Sequence, residues 1–343
     1  MNQKRVEWDC GTTGIGVLVS DSLMFQRGDP APGDPHLSNF YGLALPFLKR
    51  GMPVTSVQLE NVEVENYLDG FKLLLLSYHG MKPLSPDVHS ALAKWVKKGG
   101  TLLVCDDDAD PYNKVRDWWN TGKNNYTNPR QHLFEKLGVS LQPGTNTASI
   151  EKAGKGAVLW LSADPAKLAA NRAGAEQLVN EAIKAKASAT LKWRETNYLL
   201  LRRGPYTIAA GLDESVAGEP KTLSGRFVNL FDPELRVQNS FAITPGSRYF
   251  LLDLNATPRR DATVLASACK ALVLKKAENS FSLTVEGVAN TSAILLISTH
   301  NENPKSVTLD GKPLTTFQYS PQDNLLWLRF ENESHPRELK LGF

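Results

Sequence analysis

Two uninterrupted apolar runs in the first half of the chain do most to constrain its fold. The segments FKLLLLSY (71–78) and TLLVC (101–105) are apolar at nearly every position, which is typical of strands buried on both faces of a sheet. Between them, Ser-Pro-Asp at 85–87 signals the start of a helix and Gly-Gly at 99–100 signals its end. Strands that alternate with helices at this spacing predict a parallel sheet with right-handed crossovers.

The pattern changes near residue 189, beyond which helical periodicity almost disappears. Short apolar segments such as NYLLLRR (197–203) and NLLWLRF (324–330) are separated by stretches rich in Pro, Gly, Asn and Asp. The Asp-Gly pair at 310–311 is a signal for a tight hairpin turn. A chain of 343 residues is expected to form two domains. We predict an α/β domain over residues 1–188 and an antiparallel β-sandwich over residues 189–343.

Composition and charge exclude several classes of protein. The net charge is +3 and no dense run of Lys or Arg occurs, which argues against nucleic acid as a partner. No apolar stretch approaches the roughly 18 residues of a membrane span, and the short apolar run at 15–19 does not predict a signal peptide, so the compartment stays open. The three cysteines, Cys10, Cys105 and Cys269, form no CxxC pair, so neither a zinc ribbon nor a disulfide framework is expected.

Two stretches of the α/β region resemble a known domain. They are FYGLALPFLKRGMPV (40–54) and YLDGFKLLLLSYHGMKPLSPDVHSALAKWVKKGGTLLVCDDD (67–108). Both resemble the amidotransferase-like trimerisation domain of the β-galactosidases of glycoside hydrolase family 42, which follows a catalytic barrel and precedes a small β domain. The resemblance implies a flavodoxin-like, class I glutamine amidotransferase-like sheet and a C-terminal β domain, without the barrel. It also implies a homo-oligomer formed through the α/β domain, or docking onto an upstream catalytic barrel.

Cys105 occupies the position of the nucleophile in class I glutamine amidotransferases. In that family the cysteine lies in a G-x-C-x-G elbow, whereas Leu103 and Asp107 stand at the glycine positions here. No histidine lies between His132 and His300 to serve as the base from a late strand. Adjacent aspartates would also raise the pKa of the thiol and oppose formation of the thiolate. We therefore expect no catalytic residue and interpret Cys105 as a small core residue.

The acidic segment that follows Cys105 has two interpretations that involve charge. Asp106, Asp108 and Asp110 alternate along the chain, which partly resembles an EF-hand loop that binds Ca²⁺ through carboxylates. Pro111 replaces the essential glycine and Asp117 replaces the bidentate glutamate, so the loop is not an EF-hand. The carboxylates could hold a calcium-like cation, or they could form a solvated loop neutralised by nearby Lys and Arg side chains.

The same segment, 106–120, could instead form a binding rim. Ligands bind beyond the carboxyl ends of strands in parallel sheets, and this loop must leave the core because buried unpaired charges are costly. Tryptophan faces stack on sugars, although adjacent indoles can also pack into a core, so we expect at least one of them to be partly exposed. His79 lies where the oxyanion loop of the family would be, as a functional group or as an ordinary loop histidine. The candidate ligand-binding residues are Asp106, Asp108, Asp110, Tyr112, Trp118, Trp119 and His79.

The resemblance implies a non-catalytic accessory or assembly module of a glycoside hydrolase-like protein, without a cofactor, and the missing nucleophile elbow and base agree with this. The alternative is a module that binds carbohydrate or a cation, or a hydrolase, through the loop 106–120. Independent glycosidase activity is not expected, because only about five strand–helix units can be identified and an eight-unit barrel needs more. The two functions differ in a simple way, since assembly predicts an oligomer and binding predicts a saturable effect of a sugar or cation.

Overall fold

The computed structural model describes residues 5–25, 35–145, 147–184, 191–258, 261–277, 279–299 and 303–343. The predicted domain boundary at 188/189 lies outside these residues. The first strand, β1 (Glu7–Trp8), belongs to a sheet of the second half of the chain. The described part of the chain contains no helix with the length and apolar character needed to cross a membrane.

A six-stranded sheet forms the centre of the first half. Its order is β3-β2-β4-β5-β7-β6, and all neighbouring strands are parallel except β6, which pairs antiparallel with β7 at one edge. The predicted buried strands supply its middle, since every residue of β4 and β5 is buried. The strands are β2 (Ile15–Val19), β3 (Val54–Gln58), β4 (Leu73–Leu76), β5 (Thr101–Cys105), β6 (Ser149–Ala153) and β7 (Gly156–Leu161).

Helices cover both faces of this sheet. Apolar side chains of α3 and α4 pack on one face and those of α2 and α6 pack on the other, as expected for a parallel sheet built from βαβ units. The predicted helix start at 85–87 corresponds to α3, where Ser85 Oγ accepts from the Asp87 amide at 3.0 Å. The helices are α1 (Ser22–Phe25), α2 (Pro35–Leu48), α3 (Asp87–Lys97), α4 (Pro129–Leu137), α5 (Pro165–Ala169) and α6 (Arg172–Lys184), with 3₁₀ turns at Leu59–Asn61 and Pro111–Lys114.

The second half contains three antiparallel sheets. Six strands in the order β1-β8-β9-β12-β10-β11 form the first, four in the order β13-β16-β20-β19 form the second, and five in the order β14-β15-β21-β17-β18 form the third. The strands are β8 (Tyr198–Arg203), β9 (Tyr206–Gly211), β10 (Lys221–Asn229), β11 (Val237–Ile243), β12 (Arg248–Asp253), β13 (Thr263–Ser267), β14 (Lys270–Ala277), β15 (Ser280–Glu286), β16 (Ser292–Ser298), β17 (Ser306–Leu309), β18 (Lys312–Pro313), β19 (Phe317–Ser320), β20 (Leu325–Glu331) and β21 (Arg337–Gly342).

Only the last two of these sheets form a sandwich. Their inner faces share one core, to which β15, β16, β17, β20 and β21 contribute. The outer face of the four-stranded sheet, including Trp327, packs on Val228 and Leu252 of the six-stranded sheet. The expectation of a single sandwich over 189–343 is therefore correct for the last 80 or so residues, and the preceding strands add a further layer. The Asp-Gly turn at 310–311 joins β17 to β18 as predicted, with Leu309 paired to Lys312.

Several contacts join the α/β domain to residues 194–196, which lead into β8 of the six-stranded antiparallel sheet. Arg50, just beyond α2, donates from one guanidinium nitrogen to both carboxylate oxygens of Glu195 at 3.2 and 3.1 Å. The Thr12 hydroxyl accepts from the Arg194 amide at 2.7 Å. Thr196 completes the junction, since its amide donates to the Arg50 carbonyl at 3.0 Å. The α/β domain and the β region are thus joined by hydrogen bonds that involve both main chain and side chain.

Candidate functional site at the carboxyl edge of the parallel sheet

The loops that follow β2, β4, β5 and β7 meet at the carboxyl edge of the parallel sheet. Parallel strands end at the same edge, so side chains that are distant in the sequence come together there. The loop after β4 contributes residues 77–82 and the loop after β5 contributes residues 106–120. The predicted binding rim therefore corresponds to the carboxyl edge of the parallel sheet. The contacts of each side chain at this edge determine its role.

Asp106 and Asp110 are buried and face inward to the loop after β4. Asp106 accepts from the amides of Tyr78 and Asp108, both at 2.8 Å. Asp110 accepts from the Gly80 amide at 2.6 Å and from its own loop at the Tyr112 amide. Gly80 has a φ of +77°, a conformation that glycine adopts without strain. These two carboxylates therefore join the two loops to each other.

Lys82 supplies the positive charge beside Asp110. Its buried ammonium group donates to Asp110 Oδ2 at 2.7 Å and to the Tyr78 carbonyl at 2.5 Å. Burial lowers the pKa of Lys82, although the Asp110 charge opposes this. Burial would raise the pKa of Asp110, but Lys82 and the amide donors lower it overall. The three donors around Asp110 favour a charged carboxylate paired with an ammonium.

Asp108 is held by Arg130 of α4. Arg130 donates from Nε to Asp108 Oδ1 at 2.9 Å and from a terminal nitrogen to Oδ2, which is the bidentate geometry of a strong pair. The guanidinium lies 3.7 Å from the centre of the Trp160 ring and also contacts Phe134, so a cation–π interaction stabilises it. Asp108 has a φ of +59°, a conformation that aspartate tolerates better than most residues.

These ion pairs neutralise part of the charge of the acidic loop. The compensating cations are Lys82 and Arg130, which lie outside the loop, and the loop's own Lys114 and Arg116 are exposed. Asp106, Asp108 and Asp110 do not converge on one point, because each turns to different donors. The EF-hand-like spacing therefore does not bring these three carboxylates together as ligands of one cation.

A buried aromatic and imidazole cluster lies beneath Trp118. Tyr78 Oη lies 2.5 Å from His89 Nε2, and His89 Nδ1 lies 2.8 Å from His132 Nδ1. The edge of Trp118 contacts both imidazoles, and its indole donates to the main chain at residue 83. Trp119 is buried, whereas Trp118 is partly exposed, in agreement with the expectation that at least one indole reaches the surface.

Cys105 has the surroundings of a core residue. Its side chain is fully buried, and its thiol lies 3.5 Å from the Ala163 carbonyl. Burial raises the pKa of the Cys105 thiol well above its usual value, and the charges of Asp106 and Asp164 raise it further. A thiol in this state is neither a good nucleophile nor accessible to a substrate.

His79, Asp107 and Asp164 form a separate cluster at this edge. They come from the loops after β4, β5 and β7, and one potential ligand atom of each lies within 4.8 Å of the others. The distance from His79 Nε2 to Asp107 Oδ1 is 3.3 Å. Asp164 caps α5 by accepting from the Ala166 amide at 2.9 Å. Nearby, a cavity of about 10 Å³, large enough for roughly one water molecule, is lined by Asn39, Ser77 and His79 among other residues.

The structure thus divides the predicted site residues into three groups. Asp106, Asp108 and Asp110 support the loop, Trp118 packs over the imidazole cluster with Trp119 against its ring, and His79 belongs to the third cluster. Tyr112 lies at the start of the 3₁₀ turn. The sequence analysis missed the partners of these residues, although the strand-end positions of 107 and 164 could have indicated two of them. The missed residues are Lys82, His89, Asp107, Arg130, His132 and Asp164.

These features define an α/β domain followed by antiparallel sheets, with polar side chains at the carboxyl edge. No protein-family model matches the chain, and no curated protein matches it. Among solved structures it is similar to a β-galactosidase from Bacillus circulans sp. alkalophilus (12% identity, TM-score 0.41, covering 70% of this chain and 41% of that one). A β-galactosidase from the psychrophilic Marinomonas ef1 gives 13% identity and a TM-score of 0.38, and the match covers 70% of this chain and 37% of that one. An exo-carrageenase of family GH42 from Bacteroides ovatus gives 10% identity and a TM-score of 0.28. That match covers 96% of this chain and 29% of the exo-carrageenase.

The chain spans less than half the length of these enzymes. At these TM-scores the likeness assigns neither a family nor a function to the chain. Any functional conclusion must therefore come from the residues and their contacts.

Proposed function

We propose that this chain is a non-catalytic accessory and assembly module of a glycoside hydrolase-like protein. The observation that carries the proposal is the use of the carboxyl edge of the sheet. Where α/β proteins commonly place reactive groups, this chain buries Cys105 and uses Asp106, Asp108 and Asp110 for internal contacts. The glycoside hydrolase part of the proposal rests on the resemblance of residues 40–54 and 67–108.

The finer assignment of the α/β domain is part of the same proposal. The five parallel strands, counted along the chain, have the spatial order 2-1-3-4-5, which is the order of flavodoxin-like sheets. Helices lie on both faces. This order supports a flavodoxin-like domain related to the glutamine amidotransferases that has lost its nucleophile elbow and its base.

The absence of catalysis can be tested directly. We expect no ammonia release from glutamine, because the Cys105 thiol is buried and has a raised pKa. We likewise expect no hydrolysis of a nitrophenyl galactoside by the chain alone. Turnover of glutamine that disappears in Cys105→Ser would contradict the proposal, and so would galactoside hydrolysis that co-purifies with the chain and is lost in a carboxylate variant.

A row of exposed and half-buried apolar side chains on the six-stranded antiparallel sheet supports the assembly part of the proposal. Trp8 pairs with Leu201, Leu201 with Ile208, and Ile208 with Phe250, so the four side chains lie side by side on one face. The ring of exposed Phe231 contacts Phe250. We call these five residues the apolar row. Its face continues into the buried contact with the four-stranded sheet, and exposed apolar patches on sheet faces are common interaction sites.

The occupant that we propose for the apolar row is a second copy of this chain. The homo-oligomer that the resemblance implies forms through the α/β domain, so the apolar row would add a second contact between copies, on the β region. Docking onto a catalytic barrel is the alternative occupant and an outcome of the same test.

Self-association can be measured by light scattering over a range of protein concentrations. We expect an oligomer for the native chain and a smaller assembly for Ile208→Asp, because a carboxylate in the apolar row loses its hydration on association. Val273→Asp is the matched control, since Val273 is 48% exposed and Ile208 is 46% exposed, both lie on strands of the β region, and Val273 lies outside the apolar row. A native chain that stays monomeric at all concentrations and does not bind a family 42 barrel would contradict the assembly role.

A carbohydrate-binding role is the second candidate. A shallow groove of about 410 Å³ lies beside the cluster of His79, Asp107 and Asp164, and it shares Asp164 with that cluster. Its polar lining includes Lys167 and Asn171, which are side chains that could hydrogen-bond to sugar hydroxyls. A saturable rise in the melting temperature with galactosides would favour this role over pure assembly.

A further inference from the structure

We propose that His79, Asp107 and Asp164 bind a divalent transition-metal cation, independently of the assembly role. The three residues come from loops after three different strands of the parallel sheet, so the fold itself brings them together. Their potential ligand atoms lie within 4.8 Å of one another. Two ligands of one Zn²⁺ ion lie roughly 3–4 Å apart, given bonds of about 2.0–2.2 Å. Small side-chain rotations would therefore bring the three atoms to coordinating distance.

The imidazole of His79 provides the first indication that a cation belongs there. Its Nε2 atom is buried and makes no hydrogen bond, although Asp107 Oδ1 lies only 3.3 Å away. The distance is that of an ion pair, but the two atoms form no hydrogen bond. A buried polar atom without a partner is costly. A cation between the nitrogen and the carboxylates would satisfy all three groups.

Asn39 provides a second, independent indication. Its side chain is buried, at 7% exposure, and its Oδ1 atom has no hydrogen-bond partner. The other end of the amide, Nδ2, lies 3.4 Å from His79 Nδ1. Rotation of the amide by half a turn exchanges two atoms that are hard to distinguish. Oδ1 would then accept a hydrogen bond from the Nδ1–H of His79.

That hydrogen bond has a direct consequence for the opposite side of the ring. With its proton on Nδ1, the neutral imidazole carries a lone pair on Nε2, which faces the two carboxylates. Metal-binding histidines almost always donate their other ring N–H to a fixed acceptor in this manner. In this arrangement the oxygen of the buried Asn39 has a partner, and the Nε2 lone pair of His79 is free to bind a cation.

The two carboxylates are held in position by main-chain donors. Asp107 Oδ1 accepts from the Ala109 amide at 3.0 Å, and Asp164 Oδ1 accepts from the Ala166 amide at 2.9 Å. Lys167 Nζ lies 3.3 Å from Asp164 Oδ2, but its side chain is 81% exposed, so it can turn toward solvent when a cation binds. Each carboxylate retains lone pairs for a metal.

The donor set also selects the class of metal. One imidazole nitrogen with two carboxylates suits Zn²⁺ or Mn²⁺, whereas Ca²⁺ and Mg²⁺ prefer oxygen ligands alone. We therefore expect Zn²⁺ to bind more tightly than Ca²⁺. This site differs from the calcium-like site considered as one interpretation of Asp106, Asp108 and Asp110, because the ligands are different residues.

Calorimetric titration of the metal-free full chain with ZnCl₂, MnCl₂ and CaCl₂ tests the proposal. We expect one saturable equivalent of Zn²⁺, with affinity at least about tenfold lower in His79→Gln, Asp107→Asn and Asp164→Asn, since each removes a ligand. Asparagine is as good a helix cap as aspartate, so Asp164→Asn keeps the start of α5. An unchanged melting temperature of the metal-free variants would show that the loss is a loss of ligation.

Two control variants separate this site from other zinc ligands. His335→Gln removes an exposed imidazole, and Cys269→Ser removes the cysteine that is not fully buried. Neither should change the Zn²⁺ affinity by more than about twofold if the site is the proposed one, since neither residue lies in the cluster. The proposal is overturned if no saturable Zn²⁺ or Mn²⁺ binding occurs, if only the control variants lose it, or if Ca²⁺ binds more tightly than Zn²⁺.

Discussion

Two buried ionisable residues near the loop 106–120 respond to pH in opposite directions. Burial lowers the pKa of His89 well below 6.5, with the charge of His132 adding to this. Burial raises the pKa of Asp106 from 3.8 to about 6. As pH falls, the folded chain therefore loses stability because His89 resists protonation, and it gains stability because Asp106 takes up a proton more readily than in the unfolded chain.

The two contributions can be separated with His89→Gln. Between pH 7 and pH 5 the resistance of His89 to protonation should lower the free energy of unfolding, and protonation of Asp106, whose pKa is about 6, should raise it. On acidification the His89→Gln variant should therefore lose less stability than the native chain, by an amount on the order of 1 kcal/mol, because the His89 contribution is removed and the Asp106 contribution is kept. Urea unfolding at both pH values measures the difference.

His335→Gln serves as the control for this measurement, because His335 is exposed. Its pH profile should follow that of the native chain. A His89→Gln profile parallel to the native one would mean that His89 does not resist protonation in the folded chain, and that the contact with His132 at 2.8 Å does not require a neutral pair.

For individual residues, the sequence could predict which ones leave the core but not which side chains they contact. The four acids after Cys105 placed the end of β5 correctly, and the loop lies at the carboxyl edge as expected. Their partners Lys82 and Arg130 lie more than twenty residues away in either direction. Nothing in the local pattern distinguishes these two cations from the exposed lysines around them, because an ion pair across loops depends on the packing of the whole domain.

Among the secondary-structure elements, the buried strands were the most predictable. The run TLLVC became β5 with the same bounds, 101–105, because a strand buried on both faces must be apolar throughout. The antiparallel strand β6 (Ser149–Ala153) has alternating exposed residues and lies at the edge of the sheet. Its sequence, SIEKA, has no apolar run, so only its hairpin with β7, turning at Gly154 with a φ of +63°, identifies it.

The β region shows the limit of patterns that have a period of two. The short apolar segments at 197–203 and 324–330 predicted β8 and β20 correctly but could not assign them to sheets. A strand packed on one side and a strand packed between two layers can both alternate, since the same side chain may face a core or another sheet. The third layer, in which Trp327 packs against the six-stranded sheet, therefore emerged only from the structure.

At the scale of the whole molecule, the junction between the α/β domain and the six-stranded antiparallel sheet of the β region should couple the unfolding of the two parts. Arg50 and Glu195 are both largely buried there, with side chains 20% and 18% exposed. Hydrogen bonds between charged groups contribute about 1.5–3 kcal/mol when partly buried. We expect Arg50→Ala to lower the free energy of unfolding by about 2 kcal/mol and to split a single calorimetric transition into two.

Arg172→Ala provides the comparison for the junction variant. Arg172 pairs with Glu176 on the surface of α6, with its side chain 88% exposed. Exposed pairs of this kind contribute at most about 0.5 kcal/mol, so the transition should remain single and nearly unshifted. If Arg50→Ala behaved in the same way, the α/β domain and the β region would be coupled by the main-chain contacts alone.

The pairing of β1 with β8 has a consequence for biosynthesis. Trp8 and its partner Leu201 are separated by almost the whole α/β domain. A ribosome adds about 5–20 residues per second, so an early segment waits roughly 10–40 seconds before its partner strand is made. During that time Trp8 has no sheet to join, and β1 stays unpaired while the α/β domain is synthesised. The antiparallel sheet that contains β8 is therefore completed by a segment made before the α/β domain.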